Sequence, residues 1–493
     1  MPALVDWWMN LEPVRLVHEF PLQLWLLFLV HCLDSFGMFA ISTNLTLYLH
    51  RVFGFSDMSA NLVYTLWGIA LVFCGIPTGF LIDRIGLGRS LTIGSTITAA
   101  AKILFAMSTN VWLSLASLFV GTTIGAGLFG SAIDLAVARY SRRKVAKTYI
   151  FHFLYTTMNI GAIAALYGVD WALAVTDGWS GYRLLFSFGA AGSVVACWIT
   201  FLYDESKHLP ETLIVQEDDE SDDVDAGSAV QQFTLRSALA ILVEPDFIRL
   251  FVFSLVFTGV RSVFRYMETL LSVYLTRVYP EIPYGGVLAI NPILIIILTP
   301  VMGMVTVHLL RDYWWMVVGS LLSALAPLLV YVWSGSSSIW SVYLFLVFFT
   351  LGEAIWSPKV KEWIIEKSPK GKKGIYSGLI PLSTFGGTII SGIVSGQLLT
   401  DYCPENESEG WVEASVVAHY AQSCKSMWIW IVVSALTTPV LCGILGKPLT
   451  YVPRKPAKSV DTTDTTTHEF PLLEAFDADA ADNSADKGQE AGG

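Results

Sequence analysis

The sequence has little charge for its length. Charged residues make up 14% of the 493 residues and hydrophobic residues 54%, whereas about a quarter of the residues in a soluble domain are charged. The mean hydropathy is +0.57. These values exclude a string of soluble domains. Apolar runs of about 20 residues, enough for a helix to cross a bilayer, recur along the chain and predict an all-α membrane protein.

The groupings of side chains that enzymes need are also absent. The six cysteines show no metal-ligand spacing. No nucleophile–base pair or cofactor-binding loop occurs in a segment large enough to form an active site. We therefore expect no catalytic residues, no metal and no cofactor, and we do not expect an enzyme. No nucleic-acid partner is expected either.

Apolar runs predict about twelve membrane-spanning helices. They lie near residues 22–44, 60–82, 91–109, 111–136, 150–172, 183–203, 247–273, 285–308, 314–334, 339–365, 376–399 and 426–446.

The basic residues of the connecting loops predict the orientation of these helices. The loops after spans 2, 4, 8 and 10 hold two, five, one and four Lys and Arg residues, whereas the loops after odd-numbered spans hold four in total. Because basic residues concentrate on the cytosolic side, we expect a multi-pass protein with both termini in the cytosol. The plasma membrane and an endolysosomal membrane both remain open as its location.

The loop after span 11 then lies outside the cytosol. It holds Cys403, Cys424 and a sequon that begins at Asn406. The two cysteines could form a disulfide, since that compartment permits oxidation, or they could remain free thiols. Asn406 is a candidate glycosylation site, with an unmodified chance match as the alternative.

Two polar segments predict how the chain is divided. Residues 204–240 include a strongly acidic stretch, and residues 450–493 are rich in Thr, Asp and Ala. Segments of this composition stay disordered because they cannot bury enough apolar surface. We therefore expect a six-helix bundle at 1–203, a cytosolic linker at 204–240, a second bundle at 241–449 and a cytosolic tail at 450–493.

The loop between spans 2 and 3 gives the first indication of function. Its stretch "GFLIDRIGLGRS", residues 79–90, combines glycines with Asp83, Arg84 and Arg89. An ordinary cytosolic turn is the alternative, but six plus six spans are typical of transporters. The pattern resembles the signature loop of the major facilitator superfamily. That resemblance implies two six-helix bundles around a cavity lined by spans 1, 2, 4, 5, 7, 8, 10 and 11.

Further motifs are most similar to those of the proton-dependent oligopeptide transporter family. They are "INPILIIILTP" from Asn291 in span 8, "GEAIWSP" followed by "EKSPKGKKG" in span 10, and "FLYTTMNIGA" in span 5. The resemblance implies that Glu353, in span 10, meets the amino group of the substrate. An ionised carboxylate at the bilayer centre costs at least about 2.5 kcal/mol. Glu353 should therefore face a water-filled cavity, or else be satisfied by a neighbouring span.

The resemblance is incomplete at two charged positions. Ser35 stands where the family has an arginine in span 1, and Gly130 where it has a lysine in span 4. Span 7 offers a replacement, since Arg261, Arg265 and Glu268 are spaced i, i+4 and i+7 and share one helical face. We expect one arginine to bind an anionic group of the substrate. The alternative is that these charges join span 7 to its neighbours, with Arg265 and Glu268 satisfying each other.

Uncharged polar residues could complete the substrate site. Tyr64 in span 2, Tyr155 and Asn159 in span 5, and Asn291 in span 8 are expected to orient a zwitterionic substrate. A tyrosine in a membrane span is also commonly a packing or interface residue.

Proton coupling and gating have candidates as well. His31 and Asp34 are i, i+3 neighbours in span 1, and a histidine beside a carboxylate can bind a proton near neutral pH. Asp34 is the first candidate for the proton site, followed by His31 and then Glu268; a His–Asp hydrogen bond that only joins helices is the alternative. Lys359 is either a gate residue or a helix-end lysine whose side chain reaches the interface.

These features predict a secondary active transporter that works by alternating access. The expected cargo is a small organic solute, a peptide or amino-acid-like zwitterion, moved with protons by a monomer in the lipid bilayer. The alternatives are a carrier for an organic anion or sugar, and a membrane receptor or scaffold that transports nothing.

Overall fold

The computed structural model of this chain is built from helices. It describes residues 20–75, 78–140, 144–176, 179–203, 243–309, 312–333, 339–369, 379, 382–405, 420 and 422–450. These residues contain no β-strand. The predicted all-α class is therefore confirmed.

The described residues form helices α1 to α19, with π-helical turns in two of the spans. The helices of the first half are α1 (Leu22–Ser42), α2 (Leu45–Phe53), α3 (Asp57–Gly75), α4 (Thr78–Ile85), α5 (Leu87–Met107), α6 (Val111–Ala116), α7 (Thr123–Arg139), α8 (Lys144–Val175) and α9 (Trp179–Leu202). Those of the second half are α10 (Pro245–Val256), α11 (Thr258–Tyr266), α12 (Ser272–Val278), α13 (Tyr284–Leu288), α14 (Ile290–Leu309), α15 (Asp312–Leu325), α16 (Leu328–Trp333), α17 (Trp340–Lys367), α18 (Leu382–Tyr402) and α19 (Ser426–Thr450). The π-helical turns are Ser117–Thr122 and Met267–Leu271.

Twelve helical stretches of the described chain are long and apolar enough to cross a membrane. In order, spans 1 to 12 are Leu22–Ser42, Asp57–Cys74, Leu87–Met107, Val111–Val137, Ile150–Val175, Ser180–Leu202, Pro245–Val278, Tyr284–Met302, Tyr313–Trp333, Trp340–Ile364, Leu382–Tyr402 and Gln422–Gly446. Each overlaps one predicted span, so the prediction of about twelve is confirmed.

Glycines and one asparagine set several helix boundaries. Gly54 ends α2 with φ 69°, and Gly86, in the loop of residues 79–90, separates α4 from α5 with φ 89°. Side chains with a Cβ rarely adopt these left-handed conformations. Asn110 caps α6, because its side-chain oxygen accepts hydrogen bonds from the backbone N–H groups of Trp112 and Leu113.

The spans pack as two sets of six that meet along two seams. In the first set, span 1 packs against spans 5 and 6, and span 3 against spans 4 and 6; in the second, span 7 packs against span 11, and span 10 against spans 8 and 9. The seams join span 2 to span 11 and span 5 to span 8. At the first seam a Cβ on Gly392 would collide with Thr65. Glycine therefore permits this close approach.

One end of the molecule holds both sets together through polar contacts, and we call it the disulfide face. Arg277 of span 7 contacts Asp57 of span 2 at 2.8 Å and donates to the carbonyl oxygen of Cys403 at 2.7 Å. Cys403 and Cys424 form a disulfide, with their sulfur atoms 2.12 Å apart. Asn406, the predicted glycosylation site, lies outside the described residues.

Further contacts at the disulfide face join spans 5 and 8. The carboxylate of Asp170 accepts hydrogen bonds from the backbone N–H groups of Gly285 and Gly286, at 2.8 and 2.6 Å. Tyr284 donates to the side-chain oxygen of Asn44 in the first set. The two sets are therefore closed against each other at this face.

Candidate substrate-binding site

A cavity of about 310 Å³ lies between the two sets of spans. It is lined by Asp34, Ser35, Met38, Phe39, Ser42, Tyr64, Trp67, Gly68, Leu71, Val72, Met158, Arg265, Glu268, Thr384, Phe385 and Thr388. Spans 1, 2, 5, 7 and 11 contribute these residues. Spans 4, 8 and 10 were also expected to line it, but none of their described residues does so.

Arg265, Glu268 and Tyr64 form one polar cluster on the cavity wall. The NH1 group of Arg265 donates to Glu268 Oε2 at 2.6 Å and to the Tyr64 hydroxyl at 3.3 Å, and that hydroxyl donates to the same carboxylate oxygen. The predicted pairing of Arg265 with Glu268 is therefore present. Tyr64 belongs to span 2, so its hydrogen bonds connect this pair in span 7 to the first set of spans.

Arg265 keeps donors that these contacts do not use. Its NH2 group donates to none of the described residues, and its Nε is buried without a hydrogen-bond partner among them. Glu268 lies in the π-helical turn Met267–Leu271. Such turns insert an extra residue into a helix and occur frequently at functional sites.

Asp34 also lines the cavity, but its partner is a residue that sequence reasoning missed. The buried Nζ of Lys102, in span 3, lies 2.7 Å from Asp34 Oδ1 and also donates to the Asp34 carbonyl oxygen and to Ser193 Oγ. His31 instead lies 3.2 Å from Thr157, measured from Nδ1 to Oγ1. The alternative expected from the sequence was a hydrogen bond between His31 and Asp34. The two residues instead bond to Thr157 and Lys102.

Lys102 could have been found by the reasoning applied to Glu353. It is the one charged residue in the apolar run "LTIGSTITAAAKILFAM", and charges inside membrane spans are costly and usually functional. Gly37 makes room for it, since a Cβ at that position would lie 2.8 Å from Lys102 Nζ and 2.9 Å from the carbonyl oxygen of Gly189.

Glu353 belongs to a second buried cluster, within the last six spans. Its Oε2 accepts a hydrogen bond from Asn291 Nδ2 at 3.1 Å, and its Oε1 lies 4.0 Å from Arg261 NH1. Arg261 also donates to Ser357 at 3.0 Å and stacks on Trp356, 4.6 Å from the ring centroid. Glu353 was expected to hold the amino end of a substrate and Arg261 or Arg265 its anionic end; Glu353 and Arg261 instead lie against each other.

Tyr155 and Asn159 lie beside this second cluster rather than in the cavity lining. Lys361 of span 10 places its Nζ 5.2 Å from the centroid of the Tyr155 ring, which brings the two sets of spans together. Asn159 uses its side-chain N–H to donate to the carbonyl oxygen of Tyr155 in its own helix. Lys361 also interacts electrostatically with Asp134 of span 4. Neither Lys361 nor Asp134 was singled out from the sequence.

The remaining predicted residues lie near the helix ends. Lys359 pairs with the exposed Glu362 of its own helix at 3.3 Å. Arg84 and Arg89 are exposed. The side chain of Asp83 lies outside the described part of the structure, so the charge cluster predicted for this loop stays a prediction.

Solved structures share this fold at low sequence identity. One is a POT family transporter in complex with 5-aminolevulinic acid, with a TM-score of 0.67 and 16% identity over 87% of this chain and 97% of that one. Another is a mutant of the nucleoside transporter NupG, with a TM-score of 0.64 and 15% identity over 86% and 99%. Neighbours with such different cargo establish the fold alone.

Curated relatives match a shorter segment. The dipeptide and tripeptide permeases A of Serratia proteamaculans (strain 568) and Yersinia pestis are each 25% identical over 182 residues, which is 36% of this chain and 34% of theirs. The match thus spans about a third of the length of these permeases.

The family model covers far more of the chain. The model of the Major Facilitator Superfamily matches residues 27–392, which include most of span 1, all of spans 2 to 10 and part of span 11. Together with twelve spans packed as two sets of six, this match identifies the protein as a multi-pass membrane protein. The chain belongs to the Major Facilitator Superfamily.

Proposed function

We propose that this protein is a secondary active transporter for a small zwitterion, such as a short peptide or an amino acid. The observation that carries the proposal is the cavity between the two sets of spans, which is lined by charges of both signs and closed at the disulfide face. Rocking of the two sets about such a site would expose it to each side in turn. The relatives named as dipeptide and tripeptide permeases support the choice of cargo.

We further propose that protons drive transport through Glu268. A substrate carboxylate that competes with Glu268 for Arg265 would leave Glu268 available to accept a proton. Asp34 is less suited to this role. Its protonation would leave Lys102 buried and unpaired, and breaking a buried pair costs about 3–5 kcal/mol.

Transport by purified protein in proteoliposomes tests the proposal. Vesicles loaded with unlabelled alanyl-phenylalanine should exchange it for the labelled dipeptide, and an inward proton gradient should drive its accumulation. Glu268→Gln should abolish accumulation and leave exchange measurable, because exchange needs no net proton movement. Binding of the dipeptide without exchange would favour a receptor or scaffold. Exchange of an organic anion or sugar in its place would favour the other alternative carriers.

The topology and setting are part of the same proposal. We place both termini and residues 204–240 in the cytosol and the disulfide face outside it, in the plasma membrane or an endolysosomal membrane. Residues 1–203 and 241–449 would be the two moving bundles, and residues 450–493 a cytosolic tail. A glycosidase-sensitive gel shift that Asn406→Gln removes would support this topology, whereas a C-terminal tag accessible outside intact cells would contradict it.

We propose a monomer as the working unit, because the cavity is formed within one chain. Tetrameric PepTSo2 is among the structural neighbours, with a TM-score of 0.63 and 15% identity. The mass of the detergent-solubilised protein, measured by light scattering, distinguishes the two states.

A further inference from the structure

We infer that Asp34 and Arg265 are the two charged ends of the substrate site. In this assignment Asp34 binds the ammonium group of a small zwitterion and Arg265 binds its carboxylate. Lys102 is a positioning residue that holds the Asp34 carboxylate in its orientation. The inference rests on the proposed function, and it moves the amine site from Glu353 to a different helix in the other set of spans.

Asp34 has the geometry of a ligand-binding carboxylate. It lines the cavity, and its side chain is 13% exposed. Lys102 occupies Oδ1, whereas Oδ2 accepts no hydrogen bond from the residues that the structure describes. One oxygen is therefore held from behind while the other can receive an ammonium group from the cavity.

Lys102 holds the Asp34 carboxylate in place. Its Nζ donates to Asp34 Oδ1, to the Asp34 carbonyl oxygen and to Ser193 Oγ, all within 3.1 Å. His31 also interacts electrostatically with Asp34, and its Nδ1 is engaged with Thr157. A carboxylate that is already held in one orientation loses less conformational freedom when it binds a cationic ligand.

Arg265 provides the opposite charge from the other set of spans. Its side chain is 23% exposed and lines the same cavity. Glu268 and Tyr64 use only the NH1 group, so NH2 donates to none of the described residues. A guanidinium with a free NH2 group can donate a charge-assisted hydrogen bond to a carboxylate.

Glu353 is poorly placed for the amine. It is 3% exposed, its two oxygens face Asn291 and Arg261, and it does not line the cavity. An ammonium group could reach it only by displacing these neighbours. Asp34 presents its carboxylate to the cavity without such a rearrangement.

The rest of the lining sets the kind of zwitterion. Trp67, Leu71 and Phe385 give the cavity an apolar surface, and its volume is about 310 Å³. Small-molecule sites range from about 300 to 1,000 Å³, so this one suits a small ligand. The expected cargo is an amino acid or dipeptide with an apolar side chain. Its two charges would bridge the two sets of spans.

Capped ligands test the assignment on the purified full-length protein. The probes are alanyl-phenylalanine, its N-acetyl derivative and its C-terminal amide, with affinity measured by calorimetry. Asp34→Asn should weaken binding of the free dipeptide about 10- to 150-fold, the range for a hydrogen bond to a charged group, and leave the N-acetyl derivative unchanged. Arg265→Gln should do the same for the free dipeptide and leave the amide unchanged. Glu366→Gln, at the surface pair with Lys367, is the matched control and should change neither.

Asp34→Asn leaves Lys102 unpaired and could therefore impair folding. The double variant Asp34→Asn with Lys102→Met removes both charges and should show the same selectivity. Lys102→Met alone tests the positioning role. Binding of the free dipeptide should weaken while binding of the N-acetyl derivative stays unchanged, because the carboxylate is no longer held in its orientation, and Lys102→Arg should restore the wild-type affinity.

The outcomes separate this inference from the proposed function. Should the double variant still prefer the free dipeptide over its N-acetyl derivative as strongly as the wild type does, or should Glu353→Gln be the variant that removes this preference, the assignment of Asp34 is wrong and the proposed function stands. Wild-type affinity of Lys102→Met for the free dipeptide would overturn the role of Lys102. Should the wild type neither bind nor exchange the dipeptide or free phenylalanine, the zwitterion proposal fails and this inference fails with it.

Discussion

The guanidinium of Arg277 lies 2.8 Å from the carboxylate of Asp57, and both side chains are largely buried. The contact joins the end of span 7 to the start of span 2, and thus one set of spans to the other. The same guanidinium donates to the carbonyl oxygen of Cys403. Arg277 therefore links the disulfide to the ion pair that joins the two sets of spans.

Asp57→Asn should open the disulfide face. Removing one partner of a buried ion pair costs about 3–5 kcal/mol, and in a two-state transporter that cost falls on the closed arrangement. Labelling of a Thr276→Cys variant by a membrane-impermeant thiol reagent measures the opening, since Thr276 lines the pocket at this face. Glu366→Gln, which breaks a surface pair with Lys367, is the control. Equal labelling with and without Asp57→Asn would contradict a closing role for this pair.

Gly285→Ala should have a similar effect by a steric route. A Cβ at Gly285 would collide with the carbonyl oxygen of Leu166, and the backbone N–H of Gly285 would lose its 2.8 Å hydrogen bond to Asp170. The expected result is faster labelling of Thr276→Cys. Gly443→Ala is the matched control, because nothing lies within 4 Å of the added Cβ. Should Gly285→Ala leave the labelling rate of Thr276→Cys unchanged, closure of the disulfide face would not require the close approach of spans 5 and 8.

Acid should open this face only at low pH. Burial acts to raise the pKa of Glu405, but the hydrogen bond from His50 and the charges of His50, Arg277 and Arg51 lower it overall from its usual 4.5. A lowered pKa means that the closed arrangement favours the ionised carboxylate. Its contribution is therefore present above the usual pKa and is lost as the pH falls through the lowered one.

Labelling of Thr276→Cys, normalised to a reference thiol at each pH, should thus stay constant from pH 7 to about 5 and rise below that. Glu405→Gln removes the titrating group and should weaken closure at every pH in this range. A rise in labelling that begins near pH 6.5 in the wild type would assign the transition to another group.

Glu353→Gln should destabilise the fold of the last six spans. It leaves Arg261 buried beside a neutral amide, which should cost on the order of 3 kcal/mol. The double variant with Arg261→Met should lose less than the sum of the single variants, since it strands no charge. Thermal unfolding of the detergent-purified protein measures both. Glu366→Gln is the control, because it breaks the surface pair with Lys367 and should cost less than about 1 kcal/mol. An equally small loss of stability in Glu353→Gln would show that the pair of Glu353 with Arg261 contributes little.

Much of the fold could be predicted because the bilayer constrains it. A chain that crosses lipid must satisfy its backbone hydrogen bonds internally, so long apolar runs become helices, and each predicted run overlaps a span. The pairing of Arg265 with Glu268 was also open to prediction, since i, i+3 neighbours meet on a helix surface. Gly86, in the loop after span 2, adopts the positive φ that its glycine-rich pattern allows.

Contacts between helices could not be predicted in this way. Asp34 meets Lys102, and Tyr64 meets Glu268, although 68 and 204 residues separate them in the chain. Glu353 was expected at one end of a substrate and Arg261 or Arg265 at the other, yet Glu353 pairs with Arg261. The sequence alone determined that this protein spans the membrane through helices and carries a few costly charges within it, because bilayer energetics and helical spacing act along a single segment. Only the tertiary structure decided which charges face the cavity and which neutralise one another, because that depends on how each helix is rotated and where it crosses its neighbours.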